Sequence, residues 1–181
     1  MKHLVASLLL SAVTLSANAQ LAGRVPVKSD LFSSTIPAGP EWTLLESSKT
    51  SLTYQWQDQE HLRSWNIQLT AVTIKPSETR AQLIREFEDA SRGMRALPES
   101  IDGGRLEILP AKKRRYLCVE GVARPSLNSA KPMMAKSRLA MCRHPKYPFG
   151  AVAIMMSVGG RTGDDPELDG FDQMIDDLVM H

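Results

Sequence analysis

The sequence predicts an α+β domain, with a mostly antiparallel sheet packed by two amphipathic helices. Short apolar runs bounded by proline or glycine are typical of strands. Two longer stretches, at about 77–92 and 166–179, repeat apolar residues at helical spacing. The links between the apolar runs are short, so neighbouring strands should pair antiparallel. We therefore predict a single α+β domain at 41–181.

The first part of this domain favours strands that lead into a helix. Residues 41–45 favour a short strand, and residues 52–56 alternate apolar and polar side chains as a half-buried strand does. Trp65, Ile67 and Leu69 continue this alternation in a third strand. Because the turn between the second and third strands is short, we expect these two strands to form a hairpin.

The first predicted helix follows directly. Ser77 is its expected N-cap, and Glu78 lies in the first turn, where the helix dipole favours an anion. Its apolar stripe consists of Leu83, Ile84, Phe87, Ala90 and Met94. We expect this stripe to pack on the sheet.

The second part of the domain favours more strands and the last helix. The apolar runs are 106–109, 116–119, 133–142 and 151–158. Asp165 is the expected cap of the last helix, with Pro166 at its first position. Its apolar stripe consists of Leu168, Phe171, Met174, Ile175 and Leu178.

Both cysteines lie in consecutive predicted strands. In a hairpin centred near Ala130, Cys118 would lie directly opposite Cys142. The same register would place Glu120 diagonal to Arg138, so that a partly buried face could hold both charges. We predict a disulfide between Cys118 and Cys142, as suits an exported protein with two cysteines. The alternative is a pair of buried free thiols.

The N-terminus has the pattern of a secretory signal peptide at 1–19. A charged start precedes an apolar core at 4–15, and an A-x-A cleavage pattern ends at Ala19. The apolar core is too short to span a membrane as a stable helix. We predict a periplasmic protein without a transmembrane segment, in which prolines and a glycine make residues 20–40 an irregular N-terminal arm.

The order of strands, helix, several strands and helix resembles the Mog1/PsbP-like fold, which includes small exported proteins of the DcrB type. The resemblance covers most of the chain after the predicted signal peptide, as an order of elements. It carries no functional residue over to this sequence. It implies a non-catalytic role in binding, as an adaptor or in assembly.

The composition and motifs argue against catalysis, metals and nucleic acids. The chain has 22 Lys and Arg against 20 Asp and Glu, without the basic excess of a nucleic-acid binder. No G-x-S-x-G surrounds a serine, and His61 and His144 favour surface positions. The acidic pattern that starts at Asp165 resembles a calcium loop but fits a helix start better. The methionines of the apolar runs favour core packing over copper binding. We predict no cofactor and no metal.

One concentrated run of charge remains as a candidate site. The four basic residues that start at Lys112 suit a solvated turn or a strand edge that blocks sheet pairing. The alternative is a patch for an acidic partner or for lipid head groups. Aromatic residues in loops could add binding anchors. The candidate partner-binding residues are Lys112, Lys113, Arg114, Arg115, Trp42, Tyr147 and Phe149.

The leading functional hypothesis is a non-catalytic periplasmic domain that binds another envelope protein or an exported toxin. One form of it is an immunity protein against a type VI effector. The first alternative is an envelope assembly or stress factor that binds a lipid or a small molecule. The second is a hydrolase, which would need His61 or His144 beside a carboxylate and a serine in one cleft. The sequence leaves the oligomeric state open.

Overall fold

A seven-stranded antiparallel sheet forms the centre of the part of the chain that the structure describes. The computed structural model describes residues 24–38, 42–59, 63–93, 105–124, 133–161, 168 and 170–181. The predicted signal peptide at 1–19 lies outside these residues, as do His61 and the predicted helix cap Asp165.

The elements follow the predicted order of strands, helix, strands and helix. The strands are β1 (Arg24–Lys28), β2 (Phe32–Pro37), β3 (Thr43–Ser47), β4 (Ser51–Asp58), β5 (Arg63–Thr73), β6 (Arg105–Ile108), β7 (Cys118–Arg124), β8 (Met133–Arg143), β9 (Gly150–Arg161) and β10 (Val179–Met180). The helices are α1 (Arg80–Gly93) and α2 (Phe171–Asp176). The large sheet has the order β3-β4-β5-β9-β8-β7-β6, and a small sheet has the order β1-β2-β10. Every neighbouring pair is antiparallel, which confirms the predicted fold class.

The central hairpin of β7 and β8 has the register that the sequence predicts. Cys118 lies opposite Cys142, and Glu120 lies opposite Ala140. Because side chains alternate between the faces of a strand, these four residues and Arg138 share one face of the sheet. This is the face toward α2 and the small sheet.

Two apolar clusters cover the two faces of the large sheet. The first packs the sheet against the small sheet and α2, with Phe32, Ile36, Leu69, Ile154, Phe171 and Met174 among its buried members. The second lies under α1 and includes Leu83, Phe87, Val119, Leu139, Met141 and Met155. Burial of one such large side chain stabilises the fold by about 1.5–3 kcal/mol. The core role predicted for the methionines is confirmed for Met141, Met155 and Met156.

Residues 24–28 and 32–37 form paired strands, which corrects the predicted irregular arm at 20–40. In β2, Phe32 and Ile36 have no solvent exposure, and partly exposed residues alternate with them. Pro26 is tolerated because β1 is an edge strand, where a missing N–H can face outward. In the sequence, the prolines favour an irregular arm, although the residues around them alternate as in a strand.

The first helix begins at Arg80 rather than near Ser77. The Gln82 N–H donates to Thr79 Oγ1 over 3.3 Å, and the Thr79 N–H donates to Gln82 Oε1 over 3.0 Å. This reciprocal pair is a capping box, and it makes Thr79 the cap. The Ser77 hydroxyl instead donates to the carbonyl of Lys75 over 3.0 Å.

The second helix is shorter than the predicted 166–179. It starts after Gly170, whose φ of 82° glycine adopts without steric cost. A Cβ on Gly170 would lie only 2.8 Å from Pro37 Cγ. The helix ends early because the chain must extend to pair β10 with β2. The predicted apolar stripe is nevertheless buried, at Leu168, Phe171, Met174, Ile175 and Leu178.

Candidate functional site

The loop between β8 and β9, residues 144–149 and called here the aromatic loop, carries two exposed rings. Tyr147 is 60% exposed and Phe149 is 58% exposed. Aromatic side chains are enriched in protein–protein interfaces, where they supply large contact areas. The structure brings these two sequence candidates together on one short loop.

A buried imidazole fixes the backbone of the aromatic loop. His144 Nδ1 accepts the N–H groups of Lys146 and Tyr147, at 3.0 and 3.1 Å. Since Nδ1 is an acceptor, the neutral ring carries its proton on Nε2, which donates to the main-chain oxygen of His181 at 3.1 Å. The rings of His144 and Tyr147 lie 4.5 Å apart.

His144 is 8% exposed, which corrects its predicted surface position. The reason is that both ring nitrogens bind main-chain groups on two sides, the loop and the C-terminal residue. Because these contacts occupy both nitrogens, His144 supports the loop rather than activating a nucleophile.

Main-chain hydrogen bonds close the same loop. The Gly150 N–H donates to the carbonyl of Tyr147 over 3.0 Å, and the His144 N–H donates to the carbonyl of Gly150 over 2.8 Å. The Ile74 N–H donates to the carbonyl of Phe149 over 2.8 Å, which ties the loop to the segment after β5. Two loop prolines restrict φ further. Both exposed rings therefore project from a fixed backbone.

The basic segment, residues 112–115, divides its side chains between two directions. Only 6% of the Arg114 side chain is exposed. Lys112 Nζ lies 2.7 Å from Asp172 Oδ1 on α2. Lys113 and Arg115 are exposed, and the Arg115 guanidinium lies 5.4 Å from the centre of the Tyr116 ring. Alternate residues of the run thus bind α2 or meet solvent.

Arg114 belongs to a group of charges, called here the ion-pair cluster, that joins α2 to the sheet. Its members are Arg114, Glu120, Arg138, Asp172 and Asp176. Arg114 Nε lies 2.9 Å from Glu120 Oε1, its Nη1 lies 2.7 Å from Asp176 Oδ1, and its Nη2 contacts Asp172. Arg138 lies 3.1 Å from Asp172 and 3.4 Å from Glu120. The last contact confirms the approach that the hairpin register predicts.

The ion-pair cluster shifts the pKa values of its members. Partial burial raises the pKa of Asp172. Hydrogen bonds from Arg138, Lys112 and Arg114 lower it by more, so that the pKa lies well below its ordinary value. Burial lowers the pKa of Arg114, and its hydrogen bonds to Glu120, Asp176 and Asp172 raise it above its ordinary value. Both groups are therefore charged at neutral pH.

Acidification below about pH 4 should weaken the fold through Asp172, because the ordinary pKa of an aspartate is about 3.9. A carboxyl whose folded-state pKa is depressed contributes stability above its unfolded pKa and loses it as the pH falls toward the folded value. Urea unfolding at pH 7 and pH 3 measures this loss. The loss should be smaller in Asp172→Asn than in the wild type, and equal losses would contradict the prediction.

The basic segment and the aromatic loop lie at the same end of the large sheet. The Arg143 N–H donates to the carbonyl of Leu117 over 2.9 Å, just before the aromatic loop begins. Tyr116 Oη accepts the Met180 N–H at 3.3 Å, beside the residue that His144 binds. The basic segment and the aromatic loop therefore belong to connections at one end of the sheet.

Trp42 lies elsewhere, near the other end of the large sheet. Its indole N–H donates to the carbonyl of Pro37 over 2.8 Å, and its ring lies 6.4 Å from that of Trp56. Trp56 stacks on Trp65 at 4.0 Å, and Trp65 pairs with Val158 late in β9. The aromatic loop precedes β9, so the structure does not bring Trp42 together with the other candidate residues.

The sulfur atoms of Cys118 and Cys142 lie 2.10 Å apart, at bonding distance. Because Leu117 and Arg143 share a main-chain hydrogen bond, the next pair, Cys118 and Cys142, is a non-hydrogen-bonded pair, in which the two Cα atoms lie closer together. Its Cα atoms are 4.1 Å apart. This geometry confirms the predicted approach of the two cysteines.

The acids of α2 are engaged by basic side chains rather than arranged around a metal position. Asp172 and Asp176, which the calcium-like pattern contains, both bind Arg114. Among the described residues, no group of three or more His, Cys, Asp or Glu side chains could hold a metal ion. None of the helices in the described ranges is long and apolar enough to cross a membrane.

Sequence reasoning missed the structural roles of His144 and Arg114. For Arg114 the strand alternation gives no signal, because this residue precedes β7 and its orientation is set by ion pairs with Glu120 and α2. For His144 the signal is weak, because a histidine before a proline is equally compatible with an exposed turn. Its partners are main-chain groups, which leave no trace in side-chain identity.

The fold places the chain in the α+β class, with a helix on each face of an antiparallel sheet. It is similar to a solved structure of a mutant of protein Mog1, with 10% identity, 86% of this chain and 95% of that chain covered, and a TM-score of 0.54. This likeness shows a Mog1-like fold. The Ran-binding protein Mog1p of Saccharomyces cerevisiae is similar with 10% identity, 76% and 77% covered, and a TM-score of 0.48. No protein-family model and no curated protein matches the chain.

Proposed function

We propose that this protein is a non-catalytic module that binds another protein through its aromatic loop. The observation that carries the proposal is the exposure of Tyr147 and Phe149 on a backbone fixed by His144. Aromatic side chains have few rotatable bonds, so they supply contact area at a low entropic cost. A loop that is already ordered loses little further freedom on binding.

The proposal includes export of the chain to the periplasm, where its partner would be another envelope protein or an exported toxin. The predicted signal peptide at 1–19 supports export. The opposite placement of Cys118 and Cys142 in β7 and β8 is compatible with an oxidising compartment, where disulfides persist. Against a toxin, the chain would act as an immunity protein that covers the toxin with this surface.

Replacement of both Tyr147 and Phe149 by alanine should weaken partner binding by at least about 30-fold, since even one truncated hot-spot side chain costs about 2 kcal/mol or more. The oxidised protein is immobilised and exposed to envelope extract, and captured proteins are identified by mass spectrometry. The affinity of the purified partner is then measured for the wild type and the double variant.

The matched control replaces Leu44 and Leu45 of β3, which are 48% and 55% exposed. These two residues are comparably exposed but lie on the far edge strand of the large sheet. The control variant should keep the wild-type affinity. Equal binding by the aromatic double variant, or no captured protein, would overturn the proposal.

A further inference from the structure

We infer that the surface around the aromatic loop recognises an acidic segment of its partner, through Lys113, Arg115 and Lys146. This inference rests on the proposed function and adds the chemistry of the partner. The three cations lie on the basic segment and on the aromatic loop itself, at the end of the large sheet that carries the two exposed rings.

The charges of these cations are not used within the described part of the fold. Lys113 and Lys146 are exposed, and their side chains have no hydrogen bond or ion pair with any residue that the structure describes. Arg115 contacts the Tyr116 ring at 5.4 Å, which leaves its donors available. Carboxylates of a partner could therefore bind these cations without breaking an ion pair of the described residues.

The other two residues of the basic segment, Lys112 and Arg114, form ion pairs with α2. Lys112 and Arg114 both bind Asp172, so the charge of this α2 acid is compensated within the fold. Asp176 is compensated by Arg114 in the same way. The alternation of the run therefore separates a structural pair of cations from a pair that faces a partner.

The surrounding exposed charges also favour an acidic partner. Lys75 precedes the turn that Arg143 binds, and its side chain is 81% exposed, with Glu86 at 4.0 Å. Two exposed carboxylates, Asp30 and Glu78, lie on neighbouring turns. The partly exposed Asp172 and Asp176 of α2 are paired with Arg114, so Lys113, Arg115 and Lys146 add positive charge that would attract acidic segments.

An acidic protein segment fits this surface better than an anionic membrane does. Two rings on a rigid loop offer little apolar area, whereas stable membrane attachment needs a broad apolar face or lipid chains. Fixed rings flanked by cations instead match a peptide in which apolar residues alternate with Asp or Glu. The two exposed rings would pack against the apolar side chains of the peptide, while the cations bind its carboxylates.

The test selects ligands from a random peptide library with the oxidised protein that starts at Gln20, after the predicted signal peptide. Enriched peptides should contain more Asp and Glu than the input library. Their affinity should fall by roughly tenfold when the salt concentration rises from about 0.05 to 0.5 M, since salt screens exposed charges. The double variant Lys113→Glu with Lys146→Glu should lose the acidic enrichment.

The matched control is Lys49→Glu with Arg85→Glu, which changes the net charge equally at exposed positions on β3–β4 and α1. This control should keep the acidic enrichment. Enriched peptides without acidic bias would overturn the inference while leaving the proposed function intact. Binding to phosphatidylglycerol vesicles without any acidic peptide would also overturn it. No enriched peptide together with no captured extract protein would overturn the proposed function as well.

Discussion

Replacement of Arg114 by alanine is expected to lower the free energy of unfolding by about 3–5 kcal/mol, as removal of one partner from a buried ion pair does. Only 6% of the Arg114 side chain and 5% of the Glu120 side chain are exposed. Among the described residues, the variant leaves Glu120 with Arg138 as its ion-pair partner, at 3.4 Å. It also frees Asp176 and weakens the hold on α2. Urea unfolding at pH 7, followed by tryptophan fluorescence, measures the change.

The neighbouring Arg115→Ala variant is the matched control. Arg115 is exposed and its described contact is the Tyr116 ring, so its loss should cost about 1 kcal/mol or less. Both variants remove the same charge from the same run. If they lowered stability equally, the division of the basic segment into an inward and an outward half would be wrong.

Replacement of Phe171 by alanine is expected to lower the free energy of unfolding by about 3–5 kcal/mol, the usual cost of removing a buried phenylalanine ring. Phe171 has no solvent exposure and packs in the cluster between the large sheet and α2. Its ring also lies 4.6 Å from the Arg138 guanidinium. A six-residue helix such as α2 is not stable alone, so its packing must hold it in place.

Phe149→Ala is the control for this prediction, because Phe149 is 58% exposed. Its effect on stability should be within about 0.5 kcal/mol. The same measurement also shows that any binding defect of Phe149→Ala is not a folding defect. A loss at position 149 equal to that at position 171 would contradict the assignment of Phe149 to an external surface.

The parts of the fold that follow local periodicity could be predicted from the sequence. Alternating apolar residues identify β4 and β5, and apolar runs bounded by turn residues identify β8 and β9. The stripe that starts at Leu83 identifies α1. The hairpin register follows from treating the two cysteines as partners, and Glu120 and Arg138 then approach as a consequence. Local patterns specify these features because each depends on residues close in the chain.

The features that the sequence did not indicate depend on distant contacts. β10 is a strand only because β2 offers it an edge, and the same contact ends α2 before residue 179. β1 and β2 were not predicted, because both contain proline, which a strand tolerates at the edge of a sheet but not at its centre. For the candidate site, the exposure of Tyr147 and Phe149 could be expected, but the inward orientation of Arg114 and the burial of His144 required tertiary contacts.

The pairing of β2 with β10 has a consequence for when the fold can close. Met180 pairs with Phe32, so nearly the whole described chain must be made before this contact can form. Contacts of such large sequence separation carry a high loop-closure entropy and form late. Until β10 pairs with β2, one edge of β2 has no neighbouring strand and its apolar side chains are only partly buried. Under the export that we propose, the chain would pass a translocation channel unfolded, and this dependence on β10 would keep its N-terminal strands from completing their sheet before passage.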